Sequence, residues 1–242
     1  MIVYMKNVQQ ILKSRAGIVG MIGLLALSFS SCIKNKNNEA DTTPVALMSV
    51  INLSPGSQPL DFYLDNNKAN TSAFGFADGL DYIRAYTGKR TATFYVSATQ
   101  TKLKSDTMTL GANKAYTLFL ANLPATPEFV LLRDTLTQPA ADKAGIRFIN
   151  LSPNAPAVDF AIKGGAVLAT NRSFKGYTVF VPVAGNTKIT LEIRQAGTTT
   201  VLASLSDITP KTGSLYTVWL QGLTGATDQT KLAANIQLNA YY

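Results

Sequence analysis

In Lys188-Ile189-Thr190-Leu191-Glu192-Ile193-Arg194, the Ile, Leu and Ile side chains alternate with Lys, Thr, Glu and Arg. A period of two is the signature of a half-buried strand. Thr91-Ala92-Thr93-Phe94-Tyr95-Val96-Ser97 keeps Ala, Phe and Val on one parity in the same way. A glycine turn precedes each stretch, at Gly88 and at Gly185. The same pattern predicts strands over 46–53, 61–64, 116–120 and 128–133, and again over 145–151, 159–162, 216–220 and 232–241. Helical periodicity is weak beyond the first 31 residues. Many short strands with Gly and Pro between them predict an all-β chain of antiparallel sandwiches.

The pattern occurs twice. Ile51-Asn52-Leu53-Ser54-Pro55 returns as Ile149-Asn150-Leu151-Ser152-Pro153, and each is followed by Asp-Phe, at Asp61 and at Asp159. Tyr116-Thr117-Leu118-Phe119-Leu120 returns as Tyr216-Thr217-Val218-Trp219-Leu220. Both ends of a domain-sized unit are therefore duplicated in order. The expected architecture is two tandem immunoglobulin-like antiparallel β-sandwich modules, over 45–137 and 144–242, joined by a short linker over 138–143. Each module is large enough for a small core of its own.

Residues 1–31 read differently. A polar, basic stretch leads into an apolar run from Ile18 to Phe29, and Ser30-Ser31-Cys32 follows. A basic region, a short apolar core and small residues before a cleavage point make a secretory signal peptide. The run is too short to cross a bilayer, which takes about 20 apolar residues. Met5-Lys6-Asn7 also reads as a natural opening, so the start is open between Met1 and Met5. The chain's single cysteine stands where the signal ends. The stretch from Leu27 to Cys32 resembles the lipobox of bacterial lipoproteins, with Phe29 where Leu is usual. That resemblance implies a diacylated Cys32 and a protein held by lipid, expected on the outer membrane. Residues 32–44 are polar and aperiodic, the composition of a flexible tether. Lys34 and Lys36 follow the cysteine, and acid comes only at Glu39 and Asp41. The periplasmic or surface face is left open.

The duplicated motifs have structural readings. Pro55 and Pro153 cannot donate to a ladder, so the first strand must stop before them. Ser54 and Ser152 can cap free backbone amides there. Asp61 and Asp159 open the return strand, where a carboxylate accepts loop N–H groups. Tyr116 and Tyr216 resemble the tyrosine corner of immunoglobulin-like sandwiches, whose hydroxyl bonds back to upstream backbone. Phe119 and Trp219 have the opposite parity to the core positions of their strands. Two readings stand for them: an outward stacking platform for sugar rings or a protein partner, or packing under a loop or between the modules. They are the candidate binding residues.

Composition narrows the chemistry. The chain has no histidine and one cysteine, and 15% of its residues are charged. That excludes His-based acid–base chemistry, Ser-His-Asp and Cys-His nucleophiles, and His- or multi-Cys-ligated metal. No metal or other cofactor is expected, and no enzyme activity. The net charge of +8 includes Lys6, Lys13 and Arg15 of the leader. The remaining basic residues are scattered rather than striped between aromatics, so no nucleic-acid partner is expected.

At the Leu-Ser-Pro loop and the Tyr-Thr strand the chain resembles the domain-of-unknown-function family 4397, in tandem copies in a lipoprotein of the Bacteroidetes type. Asn150, Ser152, Pro153, Ala155, Pro156, Asp159, Phe160, Tyr177, Gly185, Tyr216 and Thr217 carry the match. The first module departs from it at Gly56-Ser57-Gln58-Pro59 and by an insertion around Ala69 to Asp81. The resemblance implies envelope or extracellular sandwich modules and carries no activity. The leading expectation is an anchored binding or adhesion module for glycan or an envelope protein, where two weak sites would add avidity. The alternatives are an assembly partner of an envelope complex, with an apolar patch covered only in the complex, and a glycan hydrolase built on paired carboxylates.

Overall fold

The structure is a computed structural model that describes residues 43–242. The leader, Cys32 and all but the end of the tether lie outside the described residues. From Thr42 onward the chain forms one compact unit.

The first module has eight strands. β1 (Val45–Asn52), β4 (Asp78–Tyr86), β7 (Ala115–Ala121) and β8 (Glu128–Asp134) make one sheet in the order β4-β1-β7-β8. β2 (Leu60–Leu64), β3 (Asn67–Lys68), β5 (Gly88–Val96) and β6 (Lys102–Leu110) make the other, in the order β3-β2-β5-β6. The second module repeats this strand for strand. β9 (Lys143–Asn150), β12 (Val181–Ala184), β15 (Ser214–Gln221) and β16 (Ala233–Tyr241) are ordered β12-β9-β15-β16. β10 (Val158–Ile162), β11 (Val167–Arg172), β13 (Ile189–Gln195) and β14 (Val201–Ile208) are ordered β11-β10-β13-β14.

The alternation read in β5 and β13 holds. Ala92 and Phe94 fill the first core with Val96 against it, while Leu191 and Ile193 fill the second with Ile189 against it. One pair per module departs from antiparallel pairing: β1 runs parallel to β7, and β9 runs parallel to β15. Lys143, read as linker, is the first residue of β9, and β8 ends at Asp134.

A third core joins the modules. Ile51, Leu53, Phe119, Leu132, Ile149 and Trp219 are packed together there. The β4-β1-β7-β8 and β12-β9-β15-β16 sheets thus have a core on each face, giving four stacked layers. Sheets buried on both faces are nearly continuous runs of apolar residues, which accounts for Tyr-Thr-Leu-Phe-Leu and its counterpart.

The joint is reciprocal. Asp134 of β8 pairs with Arg147 of β9, and Gln237 of β16 donates to Ser49 of β1 at 2.8 Å. Because β16 repeats β8 and β1 repeats β9, each module offers the same patch to the other, the arrangement of a two-fold dimer. Arg147 contacts Thr117 and Thr217 while Phe119 meets Trp219, so β7 and β15 run in the same direction. Both Leu-Ser-Pro loops therefore lie at one end of the molecule, the loop end. Val45, the linker and Tyr242 lie at the other, the linker end, where the Tyr242 hydroxyl donates to the Leu136 carbonyl at 2.7 Å.

Candidate functional site

The Leu-Ser-Pro loops are held by asparagine. Asn52 Oδ1 accepts the Ser54 N–H at 3.0 Å, and Asn150 Oδ1 accepts the Ser152 N–H at 3.1 Å. An Asx turn of this kind closes two residues on from its own side chain, so the capping expected of the serines falls to the asparagines. The serine hydroxyls differ between modules. Ser152 Oγ donates to the Gly222 carbonyl at 2.6 Å, whereas Ser54 Oγ is buried with no partner among the described residues. Gly222 has φ +84°, and a Cβ there would meet the Lys231 carbonyl oxygen at 2.3 Å.

The two aspartates share a register position but not a set of partners. Asp159 accepts the backbone N–H groups of Asn171 at 2.8 Å and Gly197 at 2.9 Å. Asp61 accepts from Asn70 Nδ2 at 2.9 Å and Ser97 Oγ at 3.1 Å, and pairs with Lys68 Nζ at 2.9 Å. Burial pushes the Asp61 carboxyl up, but these hydrogen bonds and the Lys68 charge outweigh it and hold the group below its ordinary value. The tyrosine hydroxyls also bond as a corner requires: Tyr116 accepts the Gly111 N–H at 3.0 Å and Tyr216 the Lys211 N–H at 3.2 Å.

Phe119 and Trp219 do not form an outward platform. Their exposures are 0% and 4%, and their rings meet edge to face at 6.0 Å inside the joint. The parity reading was sound for one module, but the second module covers that face. The Trp219 indole N–H donates to Gln221 Oε1 at 2.7 Å. Beside this apolar centre lies a buried polar cluster. Arg147 Nη2 pairs with Asp134 Oδ1, and its Nε donates to Thr217 Oγ1 at 2.8 Å. Asp134 Oδ2 accepts from Thr117 Oγ1 at 2.9 Å and from the Tyr82 hydroxyl at 2.5 Å. Burial, and then the Asp134 charge, push the Tyr82 phenol above its ordinary value. These bonds tie β7, β8, β9 and β15 to one another across the joint, so the cluster locks the modules together.

An aromatic pair that the sequence reading did not single out does face outward. Tyr63 of β2 and Tyr95 of β5 are half-buried on the outer sheet of the first module, with rings edge to face at 5.3 Å. They line a shallow depression of about 510 Å3 together with Asp61, Asp65, Gln100 and Lys102. Asp65 accepts from Arg90 Nη1 at 3.1 Å and from the Thr91 N–H at 2.9 Å. The signal was in the alternation: Tyr95 lies between Phe94 and Val96, on the solvent parity, and Tyr63 shares the parity of Asp61. The second module lacks the pair. Ala161 stands where Tyr63 does, and Arg194, bonded to Glu192, opposes Asp159 as Tyr95 opposes Asp61. Among the described residues the second module has no equivalent of this face, so the avidity expected from two equal sites has no counterpart there.

The face also bears on the hydrolase reading. Asp61 lies in β2 and Asp65 in the turn that follows it, and each carboxylate is already paired with a cation, Lys68 and Arg90. Among the described residues no group of three or more His, Cys, Asp or Glu is placed to hold a metal.

A second depression, of about 500 Å3, opens at the edge of the joint between β8, the linker and the segment entering β12. Leu131, Pro139, Tyr177 and Phe180 form its walls, and Val179 beside them is 76% exposed.

Residues 46–161 match the model of a domain of unknown function (DUF4397). The matched stretch runs from β1 into β10, so it takes in the first module, the linker and the Leu-Ser-Pro loop of the second. No curated protein sequence matches the chain. One similar solved structure is the "Crystal structure of CBMbc (family CBM26) from Eubacterium rectale Amy13K in Complex with Maltoheptaose". It is 11% identical, with a TM-score of 0.25, covering 81% of this chain and 97% of that one. The maltoheptaose is that protein's ligand alone.

Proposed function

We propose that this is an exported protein, held on the outer membrane by lipid at Cys32, that binds glycan without catalysis on the outer face of its first module. The observation that carries the binding reading is the Tyr63–Tyr95 pair inside a polar depression. A tyrosine ring presents an apolar body to the C–H face of a sugar and a hydroxyl at its tip. Asp61 and Asp65 supply fixed acceptors whose charge Lys68 and Arg90 already balance. Carboxylates held in this way accept hydrogen bonds from sugar hydroxyls. The anchoring reading rests on the leader and on the placing of the sole cysteine.

The test is affinity electrophoresis of the chain through gels containing single polysaccharides. A glycan that retards the wild type should retard Tyr63→Ala and Tyr95→Ala roughly tenfold less, the size of a hot-spot truncation. Both variants should keep their melting temperature to within a few degrees. Unchanged retardation in both would sink the reading.

A partner-protein reading also has an observation behind it. The apolar depression beside the exposed Val179 is the kind of patch an envelope complex would cover. Co-purification of one stable partner from solubilised membranes, lost on Val179→Asp, would favour it over glycan binding.

A further inference from the structure

The linker end carries an imbalance of charge that neither the fold nor the glycan face uses. Three ion pairs lie at that end: Arg90–Asp65, Lys143–Asp142 and Lys188–Asp207. Each acidic residue in them is matched by one cation. Lys89, Lys114, Lys163 and Lys211 are exposed at the same end and form no ion pair among the described residues. Their positions follow from the topology. Lys89 follows the β4–β5 turn beside Val45's partner Tyr86, and Lys114 precedes β7. Lys163 turns out of β10, with its N–H on the Thr190 carbonyl, and Lys211 precedes β15. The loop end is balanced instead, with Asp78 and Asp228 against Lys102 and Lys231.

Tyrosines stand among these lysines. Tyr86 is 56% exposed and Tyr241 is 69% exposed, with Tyr242 beside it. The chain's N-terminal side also leaves from this end. Val45 lines a depression with Lys114 and Thr137, and the linker lines the next one with Lys211 and Tyr241. Cations with tyrosines between them, at the end where the chain enters β1, match a bilayer surface with negative headgroups. Each lysine near such a surface contributes attraction, and tyrosine settles at the boundary between apolar and wet.

We propose that the linker end is a membrane-docking surface for anionic headgroups, which stands the molecule upright with its loop end outward. The proposal uses the anchoring reading only to explain why this end meets a bilayer, and its test is independent of lipid at Cys32. A chain starting at Thr42, the compact unit described above, is mixed with sedimenting vesicles. One set is phosphatidylcholine alone; the other contains about 30 mol % phosphatidylglycerol, enough for a negative surface potential. The chain should sediment with the anionic vesicles only and be released at about 0.5 M salt, where the Debye length falls well below 10 Å. Lys114→Gln and Lys211→Gln should each weaken partitioning about fivefold. Lys231→Gln, the same charge change at the loop end, should leave it unchanged.

Equal partitioning to both vesicle types, or an equal loss from Lys231→Gln, overturns the proposal. So does tighter retention on a soluble acidic polysaccharide than on the vesicles, which would make the partner a polyanion in solution. Anchoring is tested separately, by the mass of the mature N-terminus of the full chain. An unmodified Cys32 would end that reading and leave the docking result standing.

Discussion

Asp61 and Asp159 show how far one residue type in one position can diverge. Both sit second in the strand that follows a Leu-Ser-Pro loop, and both were legible as acceptors of nearby donors. Asp159 holds two loop amides, as a lone carboxylate in a turn does. Asp61 instead meets Lys68, Asn70 and Ser97, because the chain turns back after β2 through the short β3, which carries Lys68 and leads Asn70 over the carboxylate. Its carboxyl is held below the ordinary value in the folded state, so the unfolded chain binds the proton more readily. Its contribution to stability is complete above about pH 5 and is lost as the pH falls through 4 and below. We expect the melting temperature of the wild type to fall more steeply from pH 5 to 2 than that of Asp61→Asn, followed by circular dichroism. Parallel slopes would mean that the partners of Asp61 do not favour its charged form. Tyr63 and Tyr95 were legible too, by parity, yet two half-exposed tyrosines on separate strands become a pair only when register places Asp61 opposite Tyr95.

At the scale of elements, β7 and β15 organise the molecule. Each starts after a short loop whose backbone is tied to the strand by its own tyrosine hydroxyl. The next position turns a threonine toward the joint, and the one after returns a leucine or valine to the module's core. A corner hydrogen bond contributes about 0.5–1.5 kcal/mol net. Tyr116→Phe and Tyr216→Phe should therefore each lower the melting temperature by a few degrees while circular dichroism stays that of the wild type. No change in either variant would remove the corner from the account of stability. The sequence placed β1, β2, β5, β7, β8 and their counterparts in the second module to within about three residues, but it did not place β3, β4, β6, β11, β12 or β14. The parallel pairing of β1 with β7 and of β9 with β15 was not readable, because period-two alternation is the same for a strand running either way.

At the scale of the whole molecule, duplication has produced a dimer within one chain. Its two halves are no longer identical at their contact. One supplies Asp134 and the other Arg147, and the equivalents of these residues, Asn239 and Ser49, are uncharged. Removing one member of a buried ion pair leaves an uncompensated charge and costs about 3–5 kcal/mol, so each half suits the other better than a copy of itself. The shared core of Phe119, Trp219 and their neighbours couples the modules. We expect one unfolding transition, in which the emission of the sole tryptophan is blue-shifted and shielded from iodide until the melt. Trp219→Ala removes a buried aromatic worth about 3–5 kcal/mol and should split the transition into two. A red-shifted, quenchable native tryptophan would contradict the joint.

What the sequence determined by itself was local and repetitive. Alternation placed the strands that alternate most regularly, prolines and glycines ended them, and the repeated motifs showed two modules with one plan. These depend on neighbours along the chain, which any reader of the chain has in hand. Only the tertiary structure decided which faces stay wet. Phe119 and Trp219 point out of their own modules and were equally consistent with a platform or a contact. The second module settled the matter by covering them, because a joint with apolar residues at its centre removes more apolar surface from water than two separate sandwiches do. The same packing aligned β7 with β15, put both Leu-Ser-Pro loops at one end, and gathered four scattered lysines at the other.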